Sequence, residues 1–279
     1  MTDADGRLRV LTMNVLELRY ADGRRRRAAL RRTLTELSPD VMALQEVSRR
    51  EVTDLHEAGW HVAPHPHWSA DDVGAVLAAR RPFGGIRSTG LRVTERTART
   101  PWCGAVVAEL PLPGPLHGAL LVHHKPSWPF GYERERELQA VATTRLVEGA
   151  LAERPVPHVV LMGDFDAAPE ASSMRFWRGL QSLEGISVCY QDAWAGLHPD
   201  DPGHTFSPRN PLVRQGDMPE EAGRRIDGIM VRCDRYGPTL HIADCRRILV
   251  TPTAGTQVSD HYGLVADLTL PDHLPGSWA

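Results

Sequence analysis

Short apolar runs that end abruptly in polar residues recur along the chain and predict buried β-strands. Val159–Met162 is continuous rather than alternating, which is typical of a strand covered on both faces. It leads directly into Gly163, Asp164 and Asp166. Side chains two residues apart on an extended chain point to the same side, where two carboxylates repel unless a cation or a proton lies between them. From these residues alone, an acidic turn and an active-site strand end are equally good interpretations.

Other segments show the same pattern. Further strands are predicted at Leu8–Met13, Val41–Leu44, Gly74–Ala79, Ala105–Leu110, Gly118–Val122, Ile229–Val231 and Leu264–Leu270. Apolar residues at helical spacing predict helices over residues 22–37, 132–153 and 172–183. The arginine run Arg24–Arg27 is interpreted as a solvated helix face. Strands that alternate with helices favour an α/β fold.

Polar residues adjoin the ends of most of these strands. They are Asn14, Glu46, His124, Asp164 with Asp166, Asp227, and Asp260 with His261. Lys125, the only lysine in the chain, follows His124 directly. A single polar strand end means little, but this many define a candidate site.

Composition limits the function classes. A chain of 279 residues with 42% hydrophobic content predicts one domain over residues 1–279. The net charge of −3 gives no overall basic surface for nucleic acid. Four cysteines without a CxxC pair predict reduced thiols. Neither a signal-peptide core nor a run of membrane-spanning length is present, so a soluble cytoplasmic protein is expected.

Five motifs in this order resemble the endonuclease/exonuclease/phosphatase superfamily. They are TMN at Thr12–Asn14, LQEV at Leu44–Val47, GDF at Gly163–Phe165, RRID at Arg224–Asp227 and SDHYG at Ser259–Gly263. The superfamily contains metal-dependent phosphoesterases related to deoxyribonuclease, abasic-site endonucleases, inositol phosphatases and neutral sphingomyelinases. The resemblance implies a four-layer α/β sandwich, in which two packed mixed β-sheets have helices outside and the site at one end.

The resemblance also implies a metal site. Glu46 would be the principal ligand of Mg²⁺, or of Mn²⁺ in its place, with Asn14 beside it. Both offer the oxygen atoms that a hard cation prefers. Asp260 would be an acid on the metal side or the phosphate side.

The remaining implied roles concern the phosphate. Asp164 would position or deprotonate the attacking water. His261 would donate to a phosphate oxygen, while Asp227 fixes its tautomer. His124, preferred to His123 by motif alignment, would protonate the leaving alkoxide. Lys125 and Arg136 are candidate phosphate contacts.

The sequence departs from the family pattern at Asp166. Relatives commonly have GDFN, and an ionised carboxylate accepts hydrogen bonds but cannot donate them as an amide does. Asp166 should therefore bind a second metal ion, carry a proton or turn away. We expect a second ion, roughly 3.5–4 Å from the first.

The sequence thus predicts a metal-dependent phosphoesterase that hydrolyses a phosphodiester or phosphomonoester by in-line attack of water. A nucleic acid and a small organophosphate or nucleotide are equally good substrates. A lipid phosphodiesterase is an alternative, because Trp128-Pro129-Phe130 could be an exposed apolar loop. An inactive binding module is another, although Glu46, Asp164 and His261 are all present. No obligate protein partner is evident.

Overall fold

The structure is a computed structural model that describes residues 6–100, 102–273 and 276. The strands are β1 (Leu8–Asn14), β2 (Val41–Val47), β3 (His61–Pro64), β4 (Gly74–Ala79), β5 (Ile86–Gly90), β6 (Gly104–Pro111), β7 (Gly118–Lys125), β8 (His158–Asp164), β9 (Tyr190–Asp192), β10 (Asp227–Arg232), β11 (His241–Ile248) and β12 (Gly263–Thr269). The α-helices are α1 (Gly23–Leu37), α2 (Arg49–Glu57), α3 (Glu133–Glu153), α4 (Ser172–Trp177), α5 (Ala193–Leu197) and α6 (Pro211–Gln215).

The strands form two six-stranded mixed sheets. The first sheet has the order β11-β12-β1-β2-β4-β3, and the second has the order β5-β6-β7-β8-β10-β9. Each contains one parallel pair, β1 with β2 and β7 with β8, among antiparallel neighbours. The parallel pairs place the ends of β1 and β2 at one edge of the first sheet, and those of β7 and β8 at one edge of the second.

Alternating side chains divide each strand between two apolar layers. On β8, Val160 and Met162 lie in the core between the two sheets, whereas Val159 and Leu161 pack under α3 and α4. A third cluster packs α1 and α2 on the outside of the first sheet. The layers are therefore helices, sheet, sheet and helices, which confirms the predicted four-layer α/β sandwich.

All the predicted strands are present, but two helical predictions need correction. The helix predicted over residues 172–183 ends at Trp177, because Gly179 adopts a left-handed φ of 74° that terminates helices. The solvated face predicted for Arg24–Arg27 is wrong for Arg26 and Arg27, whose side chains are buried. Among the residues described, no helix is long and apolar enough to cross a membrane.

Candidate active site

The site lies where strand ends of both sheets meet. The second sheet contributes three side chains at strand ends, those of Lys125, Asp164 and Asp227. Side chains alternate along a strand, so these three lie on the face between the sheets, as Val160 and Met162 do on β8. Asp227 pairs directly with Asp164 across β10 and β8. In the first sheet, Asn14 ends β1 on the corresponding face. Strand parity therefore gathers these side chains at one end of the sandwich.

Glu46 reaches the site through an irregularity in β2. The pairing of β2 with β4 shifts between Gln45 and Val47, and Glu46 itself has a left-handed φ of 61°. Such a backbone conformation costs about 1–3 kcal/mol for a residue other than glycine. The bulge turns the carboxylate toward the site, where regular alternation would have pointed it to the outer face.

Asn14 connects carboxylates of the two sheets. Its Nδ2 donates to Glu46 Oε1 at 2.9 Å and to Asp164 Oδ2 at 3.1 Å. Its Oδ1 accepts from the backbone N–H of Leu16 at 3.0 Å, which fixes the orientation of the amide. The second oxygen of Glu46 accepts from the N–H of Glu17 at 3.1 Å. Asn14 thus presents its amino group, rather than the expected metal-binding oxygen, to both carboxylates.

A buried lysine lies between the two acids of the GDFD motif. Lys125 Nζ donates to Asp164 Oδ2 at 2.9 Å and to Asp166 Oδ2. All three side chains are almost fully buried. Asp166 has a φ of 52°, so the chain has already left the strand when it returns this carboxylate to the lysine. The hydrogen-bond partner of Asp166 is thus the ammonium group of Lys125, and the second metal ion stays a prediction.

The two acids differ in their electrostatics. Burial alone would raise the pKa of Asp164, but the charges of Lys125 and His261 and the hydrogen bonds from Lys125 and Asn14 together lower the pKa to about 2. Burial and the charge of Asp164 raise the pKa of Asp166 to about 7. Burial lowers the pKa of Lys125, yet the two carboxylates together raise it above its usual range. Lys125 is therefore a permanent cation beside an ionised Asp164.

His261 forms the second cationic centre. Its Nδ1 lies 2.9 Å from Asp227 Oδ2, and both residues are buried. Burial would lower the pKa of the imidazole, but nearby carboxylates, chiefly that of Asp227, raise it to about 10. Potential ligand atoms of His261, Asp227 and Asp164 lie within 4.8 Å of one another. Because His261 Nδ1 is engaged with Asp227, the other ring nitrogen is the atom that His261 can offer to a ligand.

Three polar side chains with no role assigned from the sequence hold the backbone next to His261 and Asp227. Ser259 Oγ donates to the carbonyl of Asn14 at 2.8 Å and accepts from the N–H of His261 at 3.2 Å. Asn210 Nδ2 donates to the carbonyls of Ser259 and Asp260. Thr205 Oγ1 accepts from the N–H of Asp227 at 3.1 Å. A serine two residues before a site histidine was a visible signal, whereas Asn210 and Thr205 come from distant loops.

The structure assembles most of the predicted site and leaves out two residues. Those brought together are Asn14, Glu46, Lys125, Asp164, Asp166, Asp227, Asp260 and His261. His124 points away, because it has the opposite parity to Lys125 on β7. Its Nδ1 is 2.9 Å from Thr143 Oγ1, and its ring packs 5.6 Å from Phe165 and 5.7 Å from that of Trp177. The expected role of His124 at the phosphate is therefore corrected.

Arg136 is also remote from the phosphate position. Its guanidinium donates to the carbonyls of Ser127 and Pro129 and to Glu133. These bonds tie α3 to the loop that follows β7. Arg136 supports that loop, and the expected phosphate contact is corrected.

Gly163 allows β7 and β8 to approach closely beneath the site. A Cβ atom at this position would lie 2.0 Å from the carbonyl oxygen of His124 on β7. Any larger residue would push the two strands apart and move Lys125 relative to Asp164. The glycine of the GDF motif therefore serves close strand packing.

The site opens into a cavity of about 460 Å³. Its floor includes Asn14, Glu46, Lys125, Asp164 and His261. Apolar side chains, including two tryptophans, form much of the remaining lining. The arrangement offers two fixed cationic donors and several carboxylates to a ligand that enters from solvent.

Comparison with known proteins places this geometry in a family. The sequence profile of the Endonuclease/Exonuclease/phosphatase family matches residues 11–261. No curated protein sequence matches the chain significantly.

Solved structures with this fold share little sequence with the chain. D. rerio TDP2 complexed with single strand DNA product is similar with a TM-score of 0.73 and 19% identity, over 95% of this chain and 100% of that one. The human Nocturnin catalytic domain with bound sulfate is similar with a TM-score of 0.71 and 16% identity, over 96% of both chains. ANGEL2, a 2',3'-cyclic phosphatase in complex with adenosine-2',3'-vanadate, is similar with a TM-score of 0.70 and 11% identity, over 95% of this chain and 96% of that one. From the family match across its length and the shared sandwich fold, the chain belongs to the endonuclease/exonuclease/phosphatase family.

Proposed function

We propose that the chain is a divalent-metal-dependent phosphoesterase that hydrolyses a phosphodiester or phosphomonoester by in-line attack of water. The observation that carries this proposal is the buried His261–Asp227 pair, whose potential ligand atoms lie within 4.8 Å of Asp164. A protonated imidazole held by one carboxylate donates to a phosphate oxygen, and an ionised carboxylate opposite it accepts a proton from water. Family membership and the ligands named for ANGEL2 and Nocturnin support the same class of chemistry.

Glu46 and Asp260 are the residues that would hold the cation. Both line the cavity, and Glu46 is among the charges that raise the pKa of Asp260, after burial itself. Two carboxylates that repel one another at a solvent-filled cavity suit a hard divalent cation such as Mg²⁺ or Mn²⁺. When bound, the cation would neutralise charge on the phosphate and orient it.

Residues of the chain perform the remaining steps. Asp164, kept ionised by Lys125, orients the attacking water and accepts its proton. His261 donates from its free ring nitrogen to a phosphate oxygen, while Asp227 holds the other nitrogen. The Lys125 ammonium has three N–H donors, two of which bind carboxylates. The third N–H donates to a phosphate oxygen or to the leaving oxygen. This is the role that the family resemblance assigned to His124.

The test is a metal-titrated assay with bis-p-nitrophenyl phosphate and p-nitrophenyl phosphate. We expect turnover that requires Mg²⁺ or Mn²⁺ and that falls by roughly 10³-fold or more in His261→Ala and in Asp164→Ala. Circular dichroism checks that both variants fold, and Asp244→Asn on β11 is the control. Unchanged turnover in both site variants, or no turnover of either ester with any divalent metal, would contradict the proposal.

A further inference from the structure

The cavity above the site is lined unevenly, with charge on its floor and apolar groups around it. Trp102 and Trp128 come from the segments that flank β6 and β7, and Trp128 is 41% exposed. Leu212 and Val213 of α6, with Met218 beyond it, supply aliphatic surface. Half-exposed indole rings beside a catalytic floor are surfaces that a flat organic group can cover.

The charges that line the cavity do not suit a polyanion. Within the described residues, its cationic side chains are Lys125, Arg224 and the protonated His261, and all three are engaged with carboxylates. Lys125 binds Asp164 and Asp166. Arg224 is 2.8 Å from Glu221, and its guanidinium lies over the ring of Phe130 at 4.7 Å.

Acidic residues outnumber these bases. Those that line the cavity are Glu17, Glu46, Asp164, Asp166, Asp217 and Asp260. Proteins that bind nucleic acid tightly use several Lys or Arg contacts to successive phosphates. The cavity therefore matches one phosphate at its floor, and its described lining has no unpaired basic side chain for a second one.

We propose that the substrate is a small soluble ester with a single phosphate and an aromatic or heteroaromatic ring, and that the ring binds against Trp102 and Trp128. This inference rests on the phosphoesterase function proposed above and names its substrate class. The phosphate lies at Lys125 and His261, and the ring covers indole surface that is otherwise exposed to water. Stacking on an aromatic side chain contributes roughly 5- to 150-fold in binding per ring.

Two phosphodiesters with the same leaving group test this inference. Bis-p-nitrophenyl phosphate and methyl p-nitrophenyl phosphate both release p-nitrophenolate and differ in the group that remains. We compare the kcat/KM for bis-p-nitrophenyl phosphate divided by the kcat/KM for methyl p-nitrophenyl phosphate. We expect Trp128→Ala and Trp102→Ala each to lower this ratio by roughly 10-fold or more relative to the unsubstituted enzyme. Comparing ratios between variants cancels the intrinsic reactivity of the esters. Tyr236→Ala, a 63% exposed aromatic that does not line the cavity, is the matched control.

The outcomes separate this inference from the function on which it rests. If methyl p-nitrophenyl phosphate is cleaved but the ratio stays constant in both tryptophan variants, the ring site is wrong and the phosphoesterase function stands. Preferred cleavage of an oligonucleotide over a dinucleotide, with a steep salt dependence, would replace the inference with a polymeric substrate. Preferred cleavage of sphingomyelin vesicles would replace it with a lipid. No cleavage of these two diesters or of the monoester p-nitrophenyl phosphate by the unsubstituted enzyme would refute the function itself.

Discussion

At the scale of single residues, Lys125 and Asp166 form a unit that neither residue would form alone. An amide at position 166 would leave the ammonium with one carboxylate, and a neutral side chain at position 125 would leave two buried acids facing one another. The charge of each residue therefore compensates for the buried charge of the other. The departure from GDFN is compensated on the adjacent strand by the only lysine of the chain.

Lys125→Met and Asp166→Asn should consequently be non-additive. Removing one partner of a buried ion pair costs about 3–5 kcal/mol, because the other charge stays buried. We expect Lys125→Met to lower the free energy of unfolding by about 3 kcal/mol, and Lys125→Met/Asp166→Asn to recover at least about 1 kcal/mol of that loss. Urea unfolding in metal-free buffer measures both. The control is the same comparison for the half-buried pair Arg246–Asp244. If the effects of the two substitutions were as additive at Lys125 and Asp166 as in the control, the paired role would be contradicted.

The His261–Asp227 pair gives a prediction for catalysis. Asp227→Asn keeps the shape of the side chain but removes the charge that holds the imidazole protonated and oriented. We expect kcat to fall by roughly 10²–10⁴-fold with little change in KM, because the lost interaction matters most in the transition state. Asp244→Asn should leave both constants unchanged. A loss confined to KM would show that Asp227 serves ground-state binding instead.

At the scale of elements, strand parity explains what the sequence could predict and where it failed. Leu121 points between the sheets, so counting by twos leads to His123 and Lys125 and excludes His124. Both faces of β7 are buried, so the sequence pattern alone does not show which set of alternating side chains faces the site. Glu46 could not be placed in the same way, since a bulge and a left-handed backbone reverse its direction. The motif identified Glu46 where the alternation of the strand would have rejected it.

The buried arginines of α1 lay beyond sequence reasoning for a different reason. Arg26 is fully buried, and it donates to main-chain carbonyls. These belong to Val15, Leu16, Glu17, Tyr20, Ala21 and Val258. A charged residue in a run of arginines is ordinarily exposed, and nothing local shows that a loop will cover it. The loop so held carries Glu17, whose N–H binds Glu46.

Arg26→Met should therefore disturb the site as well as the fold. Buried carbonyls left without a donor cost about 1–3 kcal/mol each when water cannot replace the donor. We expect the free energy of unfolding to fall by about 3 kcal/mol, and turnover to fall because the loop no longer holds Glu46. Arg25→Met, an exposed neighbour on the same helix, should change stability by less than about 0.5 kcal/mol. Comparable urea midpoints for the two variants would contradict the role of Arg26 in holding the loop that carries Glu17.

At the scale of the whole molecule, each sheet supplies a different part of the site. The first sheet and its loops bring Asn14, Glu46, Asp260 and His261, and the second brings Lys125, Asp164, Asp166 and Asp227. Asn14 and His261 connect the two sets directly. The family resemblance predicted two packed sheets with the site at one end, whereas composition and periodicity predicted only an α/β fold. An excess of carboxylates at the junction means that a bound cation should also stabilise the folded chain.

Addition of Mg²⁺ should accordingly raise the unfolding temperature. A ligand that binds only the folded state stabilises it by about 2.7 kcal/mol at one hundred times its Kd. For a chain of this size, each kcal/mol corresponds to about 2–4 °C. We therefore expect a rise of about 5–10 °C in differential scanning calorimetry, reversed by EDTA.

Glu46→Gln should abolish the rise, because an amide is a poor substitute for a carboxylate at a hard cation. Glu148→Gln, which removes an exposed partner of Arg232, should retain it. A full rise in Glu46→Gln would place the cation elsewhere and would leave the hydrogen bonds from Asn14 and Glu17 as the only interactions within the described residues that compensate for the left-handed backbone of Glu46.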